Sequence, residues 1–150
     1  MKQILLSLAV VFTIALNVNA QNKIDPQKLE LGIRIGGFGG GGGAVDVAFP
    51  MWGNRIHGDV GFYSSGIGVA AFYDWSFPIA EGFSFYPGVG ADMYIGDDFV
   101  LGIGGEIGFE YAFDIPLTIG MDWRPTIRLI DGSGFGSDSF GLNIRYRFGK

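Results

Sequence analysis

The sequence predicts an all-β fold, a closed antiparallel up-and-down barrel of eight strands, and three observations carry that reading. From Leu29 to Phe148, stretches of about ten residues alternate bulky apolar residues with glycine, small or charged ones. In residues 99–113, Phe99, Leu101, Ile103, Ile107, Phe109, Tyr111 and Phe113 share one face, with Gly102, Gly104, Glu106, Gly108, Glu110 and Ala112 on the other. A period of two marks a strand whose two faces meet different surroundings. Second, the stretches come in even number and at about the ten-residue length that a strand needs to cross a membrane. Third, Lys2 is followed by an apolar run from Ile4 to Leu16 and by Val18-Asn19-Ala20 ahead of Gln21, the layout of a cleavable signal peptide over residues 1–20. That run is well short of the roughly 20 residues of a membrane-spanning helix. The three together predict an exported transmembrane β-barrel.

Residues 21–28 are polar and contain Pro26, a short periplasmic lead ahead of the barrel domain at 29–150. The strands are expected at 29–38, 44–50, 55–63, 66–77, 82–95, 99–113, 116–128 and 139–148. Between them lie Gly39 to Gly43, Pro50 to Asn54, Ser64-Ser65, Pro78 to Gly82, Gly96-Asp97-Asp98, Asp114-Ile115 and Asp131 to Asp138, turn-forming residues where a meander needs them. With both termini in the periplasm, the odd-numbered connections face outside the cell. The longest of these is Asp131 to Asp138, so no large receptor or adhesin loop is expected. The glycine run at Gly36-Gly37 and Gly39 to Gly43 reads as a flexible hairpin, since no Lys-Ser or Lys-Thr follows to make a phosphate loop. Gly66-Ile67-Gly68-Val69-Ala70-Ala71 opens a strand and no helix follows, which is the wrong setting for a dinucleotide fingerprint.

The chain has no cysteine. Disulfides, thiolate metal sites, a cysteine nucleophile and a lipidated cysteine are therefore excluded. Removing residues 1–20 leaves 150 − 20 = 130 residues, one domain, with nine Lys or Arg against fifteen Asp or Glu and a net charge of 9 − 15 = −6. Nucleic-acid phosphates call for basic patches, so that partner class is not expected. A cationic surface for anionic headgroups is not expected either.

Alternation alone does not say which face is outside, because inverting the faces gives a secreted soluble barrel. Side-chain volume separates the two, since an eight-stranded barrel has an interior just wide enough for side chains to fill. The apolar face, with Leu29, Leu31, Ile33, Ile35, Phe49, Phe62, Tyr73, Trp75, Phe109, Trp123 and many others, is too bulky for that lumen. The face rich in glycine and alanine suits it. Aromatic residues also gather at one level: Phe49, Trp75, Phe77, Phe83, Tyr111, Phe113, Tyr146 and Phe148 fall near the periplasmic strand ends, and Trp123 completes the expected membrane-interface set.

The final strand, Phe140-Gly141-Leu142-Asn143-Ile144-Arg145-Tyr146-Arg147-Phe148, and the hairpin from Glu110-Tyr111 to Asp122-Trp123-Arg124-Pro125 carry a resemblance to the small eight-stranded outer-membrane barrels, the family of the OmpA transmembrane domain and OmpX. The resemblance covers roughly residues 29–148. It implies that the last strand, with its closing aromatic Phe148, is the insertion signal read by the barrel-assembly machinery. This chain departs from that family by adding Gly149-Lys150 after that aromatic, and the peptidoglycan-binding domain of full OmpA proteins is not expected in it.

The inward positions hold Glu30, Arg34, Asp46, His57, Asp59, Asp74, Asp92, Glu106, Glu110, Asp122, Arg124, Arg145 and Arg147. Charges in such a space must be paired or hydrated, because an unpaired buried ion costs several kcal/mol. The first and last strands close the barrel, so Glu30 is expected to meet Arg145 or Arg147; the sixth and seventh are neighbours, so Glu106 or Glu110 is expected to reach Arg124. Eight inward acids then face four arginines and one histidine, which leaves carboxylates to take hydrogen bonds from Tyr86 or Tyr94, to hold water or to be protonated. The readings are a packed polar plug, which is preferred because eight strands leave no continuous aqueous channel, and a proton or cation path.

His57 with Asp59, Ser64 and Ser65 could form a hydrolytic set, but the serines lie about seven residues, roughly 20 Å, further along the strand. No catalytic residue is expected. Asp97, Asp98, Asp131 and Asp138 could bridge divalent cations on lipopolysaccharide, yet they lack the ordered spacing of a calcium loop, and neither a metal site nor a cofactor is expected. The sequence therefore leads to a non-enzymatic, monomeric outer-membrane protein of a Gram-negative envelope. Its lumen is plugged, its role is structural, for envelope integrity, or small-ligand contact at the rim, and it is not a large-solute channel. Its expected partners are outer-membrane lipid, lipopolysaccharide and, during insertion, the barrel-assembly machinery. The alternatives are a secreted soluble lipocalin-like binding barrel and a lipid-A-modifying outer-membrane enzyme.

Overall fold

The computed structural model describes residues 25, 27–36, 42–130, 134–137 and 139–149. The expected signal peptide, most of the lead, the glycine run at 37–41, Asp131 and Asp138 lie outside the described residues. The strands are β1 (Glu30–Ile35), β2 (Gly43–Met51), β3 (Asn54–Tyr63), β4 (Gly66–Asp74), β5 (Phe77–Ala80), β6 (Phe83–Gly96), β7 (Phe99–Ala112), β8 (Leu117–Trp123), β9 (Thr126–Ile130), β10 (Gly134–Gly136) and β11 (Phe140–Arg147). All pairings are antiparallel. β4 and β5 run along the same side of β6, β8 and β9 along the same side of β7, and β10 leads into β11 along β9 and β8, so the segments make eight barrel strands. The ring closes where β1 pairs with β11, from Glu30 opposite Arg147 to Ile35 opposite Leu142.

Proline explains two of the interruptions. Trp75 donates its N–H to the carbonyl of Pro87 at 2.9 Å, but Pro87 has no N–H to return, so the ladder lapses between β4 and β5. Pro125 separates β8 from β9 in the same way, with its carbonyl still accepting from the Gly105 N–H at 3.1 Å. Several boundaries consequently differ from the sequence reading. Pro78 to Ala80, expected in a turn, belongs to β5 and pairs with β6 through a bulge, leaving Glu81-Gly82 as the turn. Pro50 to Asn54 shrinks to Trp52-Gly53, because β2 runs to Met51 and β3 starts at Asn54. The expected strand 116–128 is split and reaches Ile130, and Gly134–Gly136, expected in the longest loop, pairs with β9 as β10.

The faces are sorted opposite to those of a water-soluble protein. Outward positions such as Leu31, Ile33, Val45, Ile103, Ile107, Met121, Leu142 and Ile144 are exposed. Among the described residues, the buried apolar side chains are four alanines, Ala44, Ala48, Ala70 and Ala112, with Phe72 and Tyr86. The rest of the buried set is polar or charged. At the end where β1 begins and β11 ends, outward aromatic rings meet edge to face or tilted: Tyr73 with Trp75 at 5.2 Å, Phe83 with Tyr111 at 5.6 Å, Tyr111 with Phe113 at 4.8 Å and Tyr146 with Phe148 at 5.0 Å. Phe49 and Phe77 are exposed at the same end. Trp123 is not part of that group. It sits at the far end of β8, stacked on Phe140 at 6.0 Å, with its indole N–H on the carbonyl of Ser137.

Candidate functional site

The distinctive site is the lumen itself. Strand alternation and register send every second residue of each strand inward, and glycine decides where large groups can lie. Tyr86 faces Gly108 across β6 and β7, and a β-carbon at Gly108 would overlap the Tyr86 ring. A β-carbon at Gly141 would likewise strike the Arg34 guanidinium, and one at Gly120 the Asn143 side chain. The inward glycines thus make room for long polar side chains in a narrow barrel.

Register places Asp46 directly opposite Asp59 on β2 and β3. Like charges in that position repel, so each needs a cation from elsewhere. Arg124, in the break between β8 and β9 on the far wall, donates Nη1 to Asp59 and Nε to Glu106 at 2.9 Å. Arg145 on β11 donates Nε to Glu30 at 2.9 Å, Nη1 to Asp46 at 3.5 Å and Nη2 to Glu110. Arg34 on β1 donates Nε to both oxygens of Asp122 at 3.1 and 3.2 Å, and Asn143 donates to the same carboxylate. Arg55 on β3 donates Nη1 to Glu110 at 2.8 Å, pairs with Asp74 at 3.4 Å and lies over the Tyr86 ring at 4.6 Å. His57 sits at the centre, with Nε2 2.8 Å from Asp46 and Nδ1 2.9 Å from Glu106 and 3.4 Å from Asp74. These bonds join opposite walls, so the network spans the lumen.

The expected closing pair is present as Glu30 with Arg145; Thr118 donates to the other Glu30 oxygen at 3.1 Å. Arg147 instead donates to the carbonyls of Phe113, Ile115 and Leu117 and so fastens the turn between β7 and β8. Glu106 reaches Arg124 as expected, whereas Glu110 goes to Arg55 and Arg145. Arg55 is the residue that sequence reasoning missed. It is fully buried and brings the buried arginines among the described residues to five: Arg34, Arg55, Arg124, Arg145 and Arg147. Its parity with His57 and Asp59 was the available signal, masked by its place beside an expected turn. Tyr86 and Tyr94 do not serve carboxylates. The Tyr86 hydroxyl points to the carbonyl of Met121 at 3.5 Å, and that of Tyr94 bonds Ser65 Oγ at 2.6 Å. Asp92 faces the lumen near its open end and is half-buried.

Asp46, His57 and Asp59, and also His57, Glu106 and Asp122, bring ligand atoms within 4.8 Å of one another. Both groups share His57, whose nitrogens also meet Arg124 Nη2 at 3.2 Å and Arg145 Nη1 at 3.1 Å. Two guanidinium groups therefore stand where a metal ion would need to approach, and the arrangement suits ion pairing rather than coordination. His57 is enclosed in the lumen while Ser64 and Ser65 lie in the exposed turn after β3, so the three do not converge on a reacting centre. Asp97 and Asp98 are exposed in the turn between β6 and β7. No family model matches this chain, and comparisons with curated proteins and with solved structures find no match.

Proposed function

We propose that the chain is an integral outer-membrane β-barrel of a Gram-negative envelope, with a plugged polar lumen and a structural role in the integrity of that membrane. One observation carries the reading: the barrel exposes its large apolar side chains and encloses its charged ones. Water penalises the first arrangement and rewards its reverse, whereas hydrocarbon surroundings favour it. The aromatic rings gathered at the end where β1 begins and β11 ends support the same reading, since such rings favour a membrane–water interface. A soluble lipocalin-like barrel would need its apolar residues inside, where this one keeps arginines and carboxylates. The ion pairs that cross the lumen argue for a plug and against passage of large solutes.

The test is gel mobility of the outer-membrane fraction, boiled and unboiled in dodecyl sulfate. A membrane barrel resists the detergent until heated, so two bands of different mobility are expected. A single band, with the protein in the soluble fraction, would overturn the proposal.

A further inference from the structure

At the end of the barrel where β1 ends and β11 begins, the lumen widens above the ion-pair network into a cavity of about 250 Å³ that is open on one side. Glycine creates it. Beside Gly90, Gly102 and Gly141 the side chains of Phe72, Asp92 and Arg34 lie against bare backbone, where a β-carbon would collide with each. Flattened against the wall, they leave the middle open. Of the charged side chains on the lining among the described residues, Arg34, Arg124 and Arg128 are cationic and Asp92 is anionic. The carboxylates that neutralise Arg34 and Arg124, namely Asp122, Asp59 and Glu106, are not part of that lining. Arg34 and Arg124 are buried, 0% and 3% exposed, and bonded through all three nitrogens, so they act on the cavity by their charge from beneath its floor. Arg128 is exposed and makes no side-chain hydrogen bond or close ion pair among the described residues. Thr126 and Ser139 add hydroxyls.

We propose that this vestibule binds a small organic anion whose carboxylate or phosphate oxygens are held by the exposed Arg128 guanidinium at the mouth, above the buried charges of Arg34 and Arg124. The size supports the class, since pockets for drug-sized molecules begin at about 300 Å³. Val100 offers apolar surface for a short carbon skeleton, and a guanidinium group matches planar oxyanions by paired N–H donors. Asp92 keeps negative charge away from its side of the mouth, so the carboxylates of a short flexible anion turn toward Arg128.

The experiment is amide NMR of the refolded barrel in detergent micelles, titrated at constant ionic strength with succinate, with inorganic phosphate and with tetramethylammonium. Saturable shifts at Thr126, Arg128 and Ser139 are expected with an anion and not with the cation. Succinate without phosphate would assign a carboxylate ligand, and the reverse a phosphate. Arg128→Gln is expected to weaken binding roughly tenfold, the loss of one charge-assisted hydrogen bond. Asp92→Asn is expected to strengthen it several-fold. Both residues lie outside the ion-pair network, so both variants should keep the wild-type amide spectrum elsewhere. Saturation by tetramethylammonium, no saturation by either anion, or affinities unmoved by both substitutions would overturn the site.

Discussion

Glu110 receives Arg55 and Arg145 from two different walls, and it is the carboxylate that joins them, since Asp74 reaches only Arg55, and Glu30 and Asp46 only Arg145 of that pair. Removing one partner of a buried pair leaves uncompensated charge, which costs about 3–5 kcal/mol. Glu110→Gln should therefore lower the denaturant midpoint of the barrel in lipid vesicles by that order. A cycle with Arg55→Met should show coupling above about 1 kcal/mol, and additive effects would mean that the pair is not formed. Gly108 is a second residue with a defined consequence. Gly108→Val drives a side chain into the Tyr86 ring and should cost about 1–3 kcal/mol, with Tyr86→Ala recovering part of the loss when the two are combined and measured by the same unfolding titration. At this scale the inward identity of Glu30, Asp46, Glu106 and Arg145 was legible, because parity alone places them. Their partners were not. Asp59 meets Arg124 across the lumen and Arg34 reaches Asp122 past the intervening β11, and such distances depend on strand tilt and stagger, which a linear pattern does not contain.

The strands form where the alternation is longest. β6 and β7, expected at 82–95 and 99–113, run from Phe83 to Gly96 and from Phe99 to Ala112. Elsewhere a missing N–H outweighs a good pattern: Pro87 and Pro125 interrupt stretches whose side chains alternate without a break. The tight turns rest on left-handed backbone at Trp52, φ 49°, with Gly53, φ 82°, and at Gly82, φ 72°. Both residues of the first turn have positive φ, as a two-residue hairpin prefers. Gly82→Ala sets a β-carbon in that disfavoured region and 2.8 Å from the Ala112 carbonyl oxygen, so a loss of about 1 kcal/mol or more is expected in the same unfolding measurement. The turn at Ser64-Ser65 was evident from composition, whereas the Pro78 to Ala80 segment was not: its pairing with β6 is supplied by a neighbour already in place.

For the molecule as a whole, the apolar exterior is the feature with the largest consequence. Ile144 is exposed midway along β11, between Ile33 of β1 and Ile119 of β8. In a membrane, Ile144→Arg should destabilise the barrel by about 2–4 kcal/mol, measured by unfolding from vesicles. No loss, or a gain in solubility without detergent, would argue against membrane insertion. The amino-acid sequence by itself determined the strand period, the approximate strand number, the absence of cysteine chemistry and which face is bulky. These are local or additive properties, and each can be read along a line of residues. Only the tertiary structure decided which charges pair, that Arg55 belongs to the lumen, that Trp123 stands apart from the other aromatics and that a cavity opens above the network. Each of those depends on closure, register and stagger, which bring residues from distant strands within reach of one another.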